Sequence, residues 1–492
     1  VRIDKVRDKV FEVMDKEYKP RYRMKRIIIL AGIALLLAPV QHVQAADKLN
    51  VLFIISDDFR DEGGMFTRAQ VKLPNLDRLA ARGIRFERAY VQYTVCNPSR
   101  SSFLSGLRAE QTGIINNTTR LRENMPNVVT LPQLFKTNGW RTEAFGKIFH
   151  LGGSKGEPNR EAGGSGDPWM DMPFSWHAAT AFTPTKAGKK MEGRNLTGGA
   201  LTWCHWGMAA GNDDDQPDGQ TAAAVVSLIE KQGANPWFIG CGFLKPHDPF
   251  IAPKKYFDLY PLESLKLWRD PPDMTPVPPL ALPGGNLAVF KKFTDQERLE
   301  FLRAYCAAAS FMDAQLGRVL DALDKGALWD KTVIVFIGDH GYHTGERQWW
   351  NKDTLFERSC RAPLIIAAPG AKGGQTCRSL VEFVDLYPTL ADYCSLKAPD
   401  KLAGKSLRPL LNDPTTTIKD AAFTLVTRGT KHHGQSVRTD RWRLTKWSDG
   451  TQELYDHEND PEENHDVAAG NPAIVKQLSE RLLTLPPFRT NP

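Results

Sequence analysis

The chain has 492 residues, 41% of them hydrophobic and 25% charged, which excludes a disordered, fibrous or collagen-like protein and provides for a sizeable core. Its length exceeds one ordinary core of about 100–200 residues and fits either two domains or one large α/β domain with an appended piece. The formal charge of +7 comes partly from the Lys and Arg residues between Lys5 and Arg26, ahead of any globular pattern, so it is no argument for a nucleic-acid partner.

In chain order, Met24-Lys25-Arg26 begins a positive segment, an apolar run follows from Ile27 to Val40, and small residues stand at Val43-Gln44-Ala45. This reads as a secretory signal peptide at 24–45, cut after Ala45. The apolar run falls short of the roughly 20 residues that span a bilayer, so no stable membrane insertion is expected after cleavage. Residues 1–23 read as an extension from a start site assigned too early. The expectation is an exported protein, periplasmic or secreted, of bacterial type.

Asn50–Ile55 is a short apolar run of the buried-strand kind, ending at Ser56-Asp57-Asp58. Pro74–Ala81 reads as a helix closed by Gly83 at its C-terminal cap. Trp237–Ile239 and Thr332–Ile337 are further buried strands, and Thr294–Lys325 carries a long amphipathic helical pattern. Two stretches break the alternation: six glycines in 152–166 and seven prolines in 261–283, read as surface loops at the mouth of a site. Strands interleaved with helices predict an α/β fold, a large mainly parallel mixed sheet sandwiched by helices, over residues 48–402. From 403 to 492 the runs Phe423–Val426, Trp442–Lys446 and Glu453–Asp456, then a helix over Pro472–Leu483, predict a smaller antiparallel-sheet-plus-helix subdomain.

The seven cysteines show no CxxC pair and no regular spacing, which is neither a disulfide framework nor a zinc ribbon. Export permits one or two bridges, but the odd count leaves at least one thiol for another task.

Cys96-Asn97-Pro98-Ser99-Arg100, continuing to Leu104-Ser105-Gly106, is the most specific string. A Cys before Pro-Ser, taken alone, reads equally as a buried core thiol. Pro98 suits the first turn of a helix, whose N-terminal N–H groups would then face an anion. Asp57-Asp58 and Asp339-His340 each follow a predicted buried strand, and in open α/β sheets ligands gather at the carboxyl ends of strands. Acids there also serve as helix caps or turn formers; together with the cysteine string they become metal-ligand candidates. Oxygen-rich ligation favours calcium, with magnesium second, over zinc, with His340 the one softer ligand. Lys147 and His150 in Phe145-Gly146-Lys147-Ile148-Phe149-His150, His247 in Lys245-Pro246-His247-Asp248-Pro249, and Lys352 are the remaining candidates. Taken singly each reads as a solvated or packed polar residue. Grouped with Arg100 they are the cations and proton carriers that an anionic ester needs.

The Cys96 string resembles the sulfatase signature Cys-x-Pro-Ser-Arg with a following Leu-x-Gly, although Asn97 and Ser105 depart from the residues expected at its variable positions. Taken in order with Asp57-Asp58, Gly146-Lys147 and His150, Lys245-Pro246-His247, Asp339-His340-Gly341 and Lys352, it is similar to the iduronate-2-sulfatase branch over roughly 48–395. His340, where arylsulfatases generally carry Asn, marks that branch, and Glu453–Asp456 with Asp460-Pro461-Glu462 resembles its C-terminal segment. The resemblance implies the alkaline-phosphatase-like sulfatase fold and hydrolysis of a sulfuric ester on a sulfated saccharide. It implies that Cys96 is oxidised to formylglycine by a formylglycine-generating enzyme. The aldehyde's hydrate offers one hydroxyl to attack sulfur and a second that collapses to expel sulfate. It also implies that Asp57, Asp58, Cys96, Asp339 and His340 bind Ca2+. Arg100 and Lys147 would steady the formylglycine, Lys352 and His247 would face sulfate and leaving group, and His150 would assist sulfate release. Two other readings stay open: a phosphonate or phosphate ester hydrolase of the same superfamily, and a non-catalytic binder of sulfated glycans if Cys96 remains a thiol.

Overall fold

A computed structural model describes residues 48–61, 70–150, 171–231, 233 and 235–487. The expected signal peptide at 24–45, the residues before it and the glycine-rich stretch 152–166 lie outside the described residues. The strands are β1 (Asn50–Ser56), β2 (Ile84–Tyr90), β3 (Arg141–Gly146), β4 (Ala178–Thr180), β5 (Met191–Asn195), β6 (His205–Ala209), β7 (Trp237–Phe243) and β8 (Phe250–Pro253). They continue with β9 (Thr332–Gly338), β10 (Leu364–Ala367), β11 (Gln375–Glu382), β12 (Ala422–Arg428), β13 (His432–Arg438), β14 (Trp442–Trp447) and β15 (Gln452–Asp456).

Eight strands form one sheet in the order β11-β2-β10-β9-β1-β7-β3-β4. It is mainly parallel: β1 pairs in parallel with β7 and β9, β3 with β7 and β4, and β2 with β11. Only β10 runs against its neighbours β9 and β2. All seven residues of β1 are buried, because both faces of the sheet are covered. Leu52 and Ile54 belong to one apolar cluster with the long helix Asp295–Lys325, while Val51, Phe53 and Ile55 belong to another with Phe103 and Leu104 of the helix Cys96–Ser105. A strand whose alternate side chains enter two cores reads as an unbroken apolar run, which is why β1, β7 and β9 were legible.

The helix at Asp295–Lys325 starts where the sequence places it: Thr294 accepts from the Glu297 N–H and its own N–H donates to Glu297, a capping box. Gly83 caps Pro74–Arg82 as expected, but for a different reason. Its φ is −119°, outside the left-handed region, and a Cβ there would meet the Ile366 carbonyl oxygen at 2.8 Å. Glycine is needed for close approach to β10 rather than for a turn.

Two smaller sheets accompany the main one. β5-β6-β8 is three-stranded, and β12-β13-β14-β15 is the antiparallel sheet expected near the C-terminus. The helix Pro472–Leu482 lays Val475, Leu478 and Leu482 on Val437, Leu444 and Leu454 of that sheet. The proline-rich stretch 261–283 carries only a short 3-10 turn at Leu262–Ser264. All seven cysteines are buried, and none is joined to another in a disulfide. Among the described residues no helix is long and apolar enough to cross a membrane.

Candidate active site

Parallel register brings the candidate residues together. Ser56, the last residue of β1, lies opposite Phe243 of β7 and Gly338 of β9, the last residues of those strands. Gly146 ends β3 opposite Gly242. Asp57-Asp58, Asp339-His340, the segment leading to His247 and the segment from Lys147 to His150 therefore leave four adjacent strand ends on one edge. Gly146 has φ +73° and a Cβ there would meet the Gly242 carbonyl oxygen at 2.0 Å, so only glycine lets β3 turn out at this point and deliver Lys147.

Cys96 enters from the start of the helix Cys96–Ser105, a helix buried at every position. The amides at this end are largely engaged: Asn97 donates its N–H to Asn117 Oδ1 and Ser99 donates to the Val95 carbonyl, while Pro98 has no N–H. Positive surroundings therefore come from side chains more than from the free helix N-terminus that the sequence suggested. Asn97 has a structural task, its side-chain amide donating at 2.8 Å to the carbonyls of Asn116 and Thr119.

The ten candidate residues all converge. Carboxylate oxygens of Asp57, Asp58 and Asp339 lie within 4.8 Å of one another, and so do ligand atoms of Asp58, Cys96 and His340. Arg100 spans the acids, donating from Nε to Asp339 at 2.9 Å and from Nη2 to Asp57 at 3.0 Å, while Nη1 meets the carbonyls of Lys147 and Ile148. Lys147 Nζ donates to Asp57 at 2.5 Å. Lys352 Nζ donates to Asp58 and lies 3.2 Å from Cys96 Sγ. His340 donates from Nδ1 to the Gly341 carbonyl at 2.9 Å, which turns Nε2 to Asp58, at 3.2 Å, and Cys96, at 3.4 Å. His150 lies beside Cys96, near enough for each to shift the other's proton affinity. His247 Nε2 stands 3.8 Å from Asp58 and 4.0 Å from Asp57, and its side chain is 15% exposed where those of both acids are at 0%.

Charge is unevenly shared in this cluster. Burial pushes Asp339 up and the nearby Asp57 adds to it, whereas Lys147, Arg100 and His247 overcome burial to hold Asp57 far below the usual carboxylate range. Burial would also raise the Cys96 thiol, but Lys147, Lys352 and His340 together hold it well below its ordinary value. Burial lowers His150, with Lys147 adding to it. For His247 burial is outweighed by Asp248, Asp58 and Asp57, which push it up to about 10.

The arrangement suits a hard cation. Three buried carboxylates converge, and Asp58 Oδ2 is buried without any hydrogen-bond partner, an arrangement that costs free energy unless a positive charge is shared among them. Asp58 is also held in the left-handed region, with φ +59°, by Tyr305, whose hydroxyl donates to the Asp58 carbonyl at 2.9 Å and accepts from the Arg60 N–H at 3.0 Å. Strain of this kind persists where the surroundings over-determine it.

Several neighbours carry no signal of their own in the sequence. Tyr305 sits mid-helix and reads as core. Asp218 accepts the N–H groups of Leu244 and Lys245, and Lys245 Nζ donates to the carbonyls of His247 and Pro249, so both shape the His247 segment. Asp248, beside His247 in an otherwise noted string, is the one whose charge type could have singled it out.

The family model described as sulfatase matches residues 49–395, and one described as N-sulphoglucosamine sulphohydrolase, C-terminal, matches residues 345–486. A sulfatase of Formosa agariphila is 34% identical over 460 residues, covering 89% of this chain and 87% of its own. Iduronate 2-sulfatase of Mus musculus is 32% identical, covering 73% and 70%. The phosphonate monoester hydrolase of Agrobacterium radiobacter superposes with a TM-score of 0.73 at 21% identity, covering 89% and 95%, a likeness of fold. The extent of the family match and the long relative at 34% identity establish that this chain belongs to the sulfatase family.

Proposed function

We propose that the protein removes sulfate from a sulfated saccharide, with Cys96 converted to formylglycine and one calcium ion held by Asp57, Asp58, Cys96, Asp339 and His340. The observation that carries this reading is the meeting of Cys96 Sγ, at the start of a buried helix, with an acid cluster that leaves Asp58 Oδ2 without a partner. Sγ marks the place of the oxygens that the oxidised residue would carry. Calcium held by these residues would supply positive charge to offset that of the sulfate ester; its tolerance of irregular oxygen ligation suits this donor set better than the strict octahedron of magnesium.

The chain's own residues divide the remaining tasks. Arg100 and Lys147, both nearly fully buried, orient the acids and the residue at 96 and exclude water from its inner side. Lys352 stands on the other side of Sγ, where it would meet a sulfate oxygen. His247, on the more open side, is the group placed to give a proton to the departing sugar oxygen from Nε2. His150, beside Cys96, would take the proton when sulfate is released. Export and processing by a formylglycine-generating enzyme complete the proposal. The iduronate 2-sulfatase likeness makes a sulfated uronic acid unit the first saccharide to test.

The decisive measurement is the mass of the peptide containing Cys96 from active enzyme, together with paired assays on sulfate and phosphate esters of one alcohol. The expected result is the aldehyde at position 96 and faster release of sulfate. Active enzyme carrying only the thiol would sink the mechanism. Faster phosphate release would make the protein a phospho-ester hydrolase, and saccharide binding without turnover would make it a binder.

A further inference from the structure

The C-terminal sheet reaches the candidate active site through one side chain. Strand β12 runs beside the segment that leads into Cys96: Leu425 donates its N–H to the Gln92 carbonyl at 3.0 Å, Thr427 donates its N–H to the Tyr93 hydroxyl at 2.9 Å, and the two hydroxyls of Tyr93 and Thr427 lie 2.7 Å apart. Arg428, the last residue of β12, is thereby placed relative to the Cys96 helix by a hydrogen-bonded frame.

From there its guanidinium makes five contacts, as many as it has N–H donors. Nη2 donates to the Asp353 carbonyl at 2.7 Å and Nη1 to the Asp353 carboxylate at 3.1 Å. Nη1 also meets the Thr427 carbonyl, and Nε and Nη2 donate to the carbonyls of Leu280 and Ala281. Asp353 directly follows Lys352 and is held at φ +68°, a conformation that a residue with a side chain leaves when its restraints are removed. The one other hydrogen bond on its backbone is its N–H to the Thr94 carbonyl, at 3.1 Å. Leu280 and Ala281 belong to the proline-rich stretch expected at the mouth of the site. One planar fork thus joins the backbone after Lys352 and that stretch to the end of β12, the strand that itself lies beside the approach to Cys96.

We propose that Arg428 is a positioning residue for the sulfatase reaction: it fixes the backbone at Asp353 so that the Lys352 ammonium meets Asp58 and Cys96, and it pins Leu280–Ala281 against the same point. The inference rests on the reading of Lys352 as a group that faces sulfate. A lysine in place of Arg428 keeps the charge but loses the fork that serves three segments at once.

The test is a double-mutant cycle on the full-length, matured enzyme, with sulfate release from para-nitrophenyl sulfate as the readout. Arg428→Met is expected to lower kcat by about 10²-fold, the scale on which a misplacement of roughly 1 Å acts, with a much smaller change in KM and a thermal midpoint close to that of the parent. Lys352→Ala is expected to lower kcat at least as far. In the Lys352→Ala background, Arg428→Met should then cost less than about 2-fold, since residues acting through one another are not additive. Equal factors in both backgrounds would overturn the inference while leaving the reading of Lys352 intact. Full turnover by Lys352→Ala would overturn that reading, and this inference with it. If Arg428→Met does not fold, Arg428→Lys makes the same comparison, with a smaller loss expected that again vanishes without Lys352.

Discussion

Among the described residues, two buried clusters of charge bring potential metal ligands together, and they are built on opposite plans. The first is Asp57, Asp58 and Asp339 with Cys96 and His340; the second is Glu357, His457 and Glu463, between the main sheet and the C-terminal sheet. In the second every carboxylate is answered. Glu463 accepts from Arg443 Nε at 2.6 Å, from His457 at 2.8 Å and from the Glu357 N–H at 2.7 Å. Glu357 accepts from the Tyr90 hydroxyl at 2.9 Å and also from Arg443 and Arg438. Arg438, His457 and Arg443 overcome burial to hold Glu357 well below the usual carboxylate range, and Arg443 with His457 does the same for Glu463. In the first cluster one carboxylate is pushed up, its neighbour down, and an oxygen of the third has no partner. A buried charge network whose carboxylate oxygens are all hydrogen-bonded holds two sheets together, whereas one that leaves a buried carboxylate oxygen without a hydrogen bond is suited to take a cation.

The contrast is tested most severely at Asp339. Asp339→Ala should lose calcium, measured by calorimetric titration, and turnover should fall beyond the ~10²–10³-fold typical of removing one electrostatic stabiliser. Compared in calcium-free buffer, its denaturant midpoint should fall only in part, because Arg100 loses one acceptor but keeps Asp57 and two carbonyls while carboxylate repulsion is relieved. Full activity after exhaustive chelation, or a collapse of stability on this substitution, would place the first cluster in the same class as the second.

A smaller effect is expected at His247, which stands at the rim of the first cluster. An alkoxide is a poor leaving group, so His247→Ala should slow release from a sugar sulfate by about 10²–10⁴-fold. An aryl sulfate, leaving as a stabilised phenolate, should lose far less. Equal losses on both substrates would make His247 a sulfate-positioning group and pass the acid role to Lys352 or His150.

The two clusters also differ in how legible they were. Each residue of the first lies where a sequence can mark it, at the end of an apolar strand or within a short string with Pro and Gly, and parallel pairing of β9, β1, β7 and β3 converts those separate marks into one place. The second is invisible in the sequence, because Glu357, Arg443 and Glu463 are ordinary surface types whose burial depends on how the C-terminal sheet docks. Two of the strands that were missed share a related cause, whereas Leu364–Ala367, buried at all four positions, was too short an apolar run to stand out. Met191–Asn195 is almost wholly exposed, and His432–Arg438 carries no apolar alternation and buries one apolar side chain, Val437; each is set by pairing with its neighbours more than by an apolar face of its own. Arg428 and Tyr305 are likewise defined by what they touch across the fold.

The finest discrimination comes from pH at Glu463. Its folded carboxyl is held down to about 2 against an ordinary value of 4.5, so its ion pairs stabilise the native state fully above about pH 4.5 and that stability drains away as pH falls toward about 2. The difference corresponds to on the order of 3 kcal/mol at neutral pH. Glu463→Gln keeps the shape but cannot ionise, so it should be less stable than the parent in urea at neutral pH while turning over substrate at the parental kcat. As the pH is lowered the parent should lose stability faster than the variant, and the two unfolding midpoints should approach each other by about pH 3. A gap that stays constant with pH would mean that Glu463 contributes through packing and neutral hydrogen bonds. A fall in kcat at neutral pH would mean that the second cluster is coupled to the active site, and the separation between architecture and catalysis drawn from the two clusters would not hold.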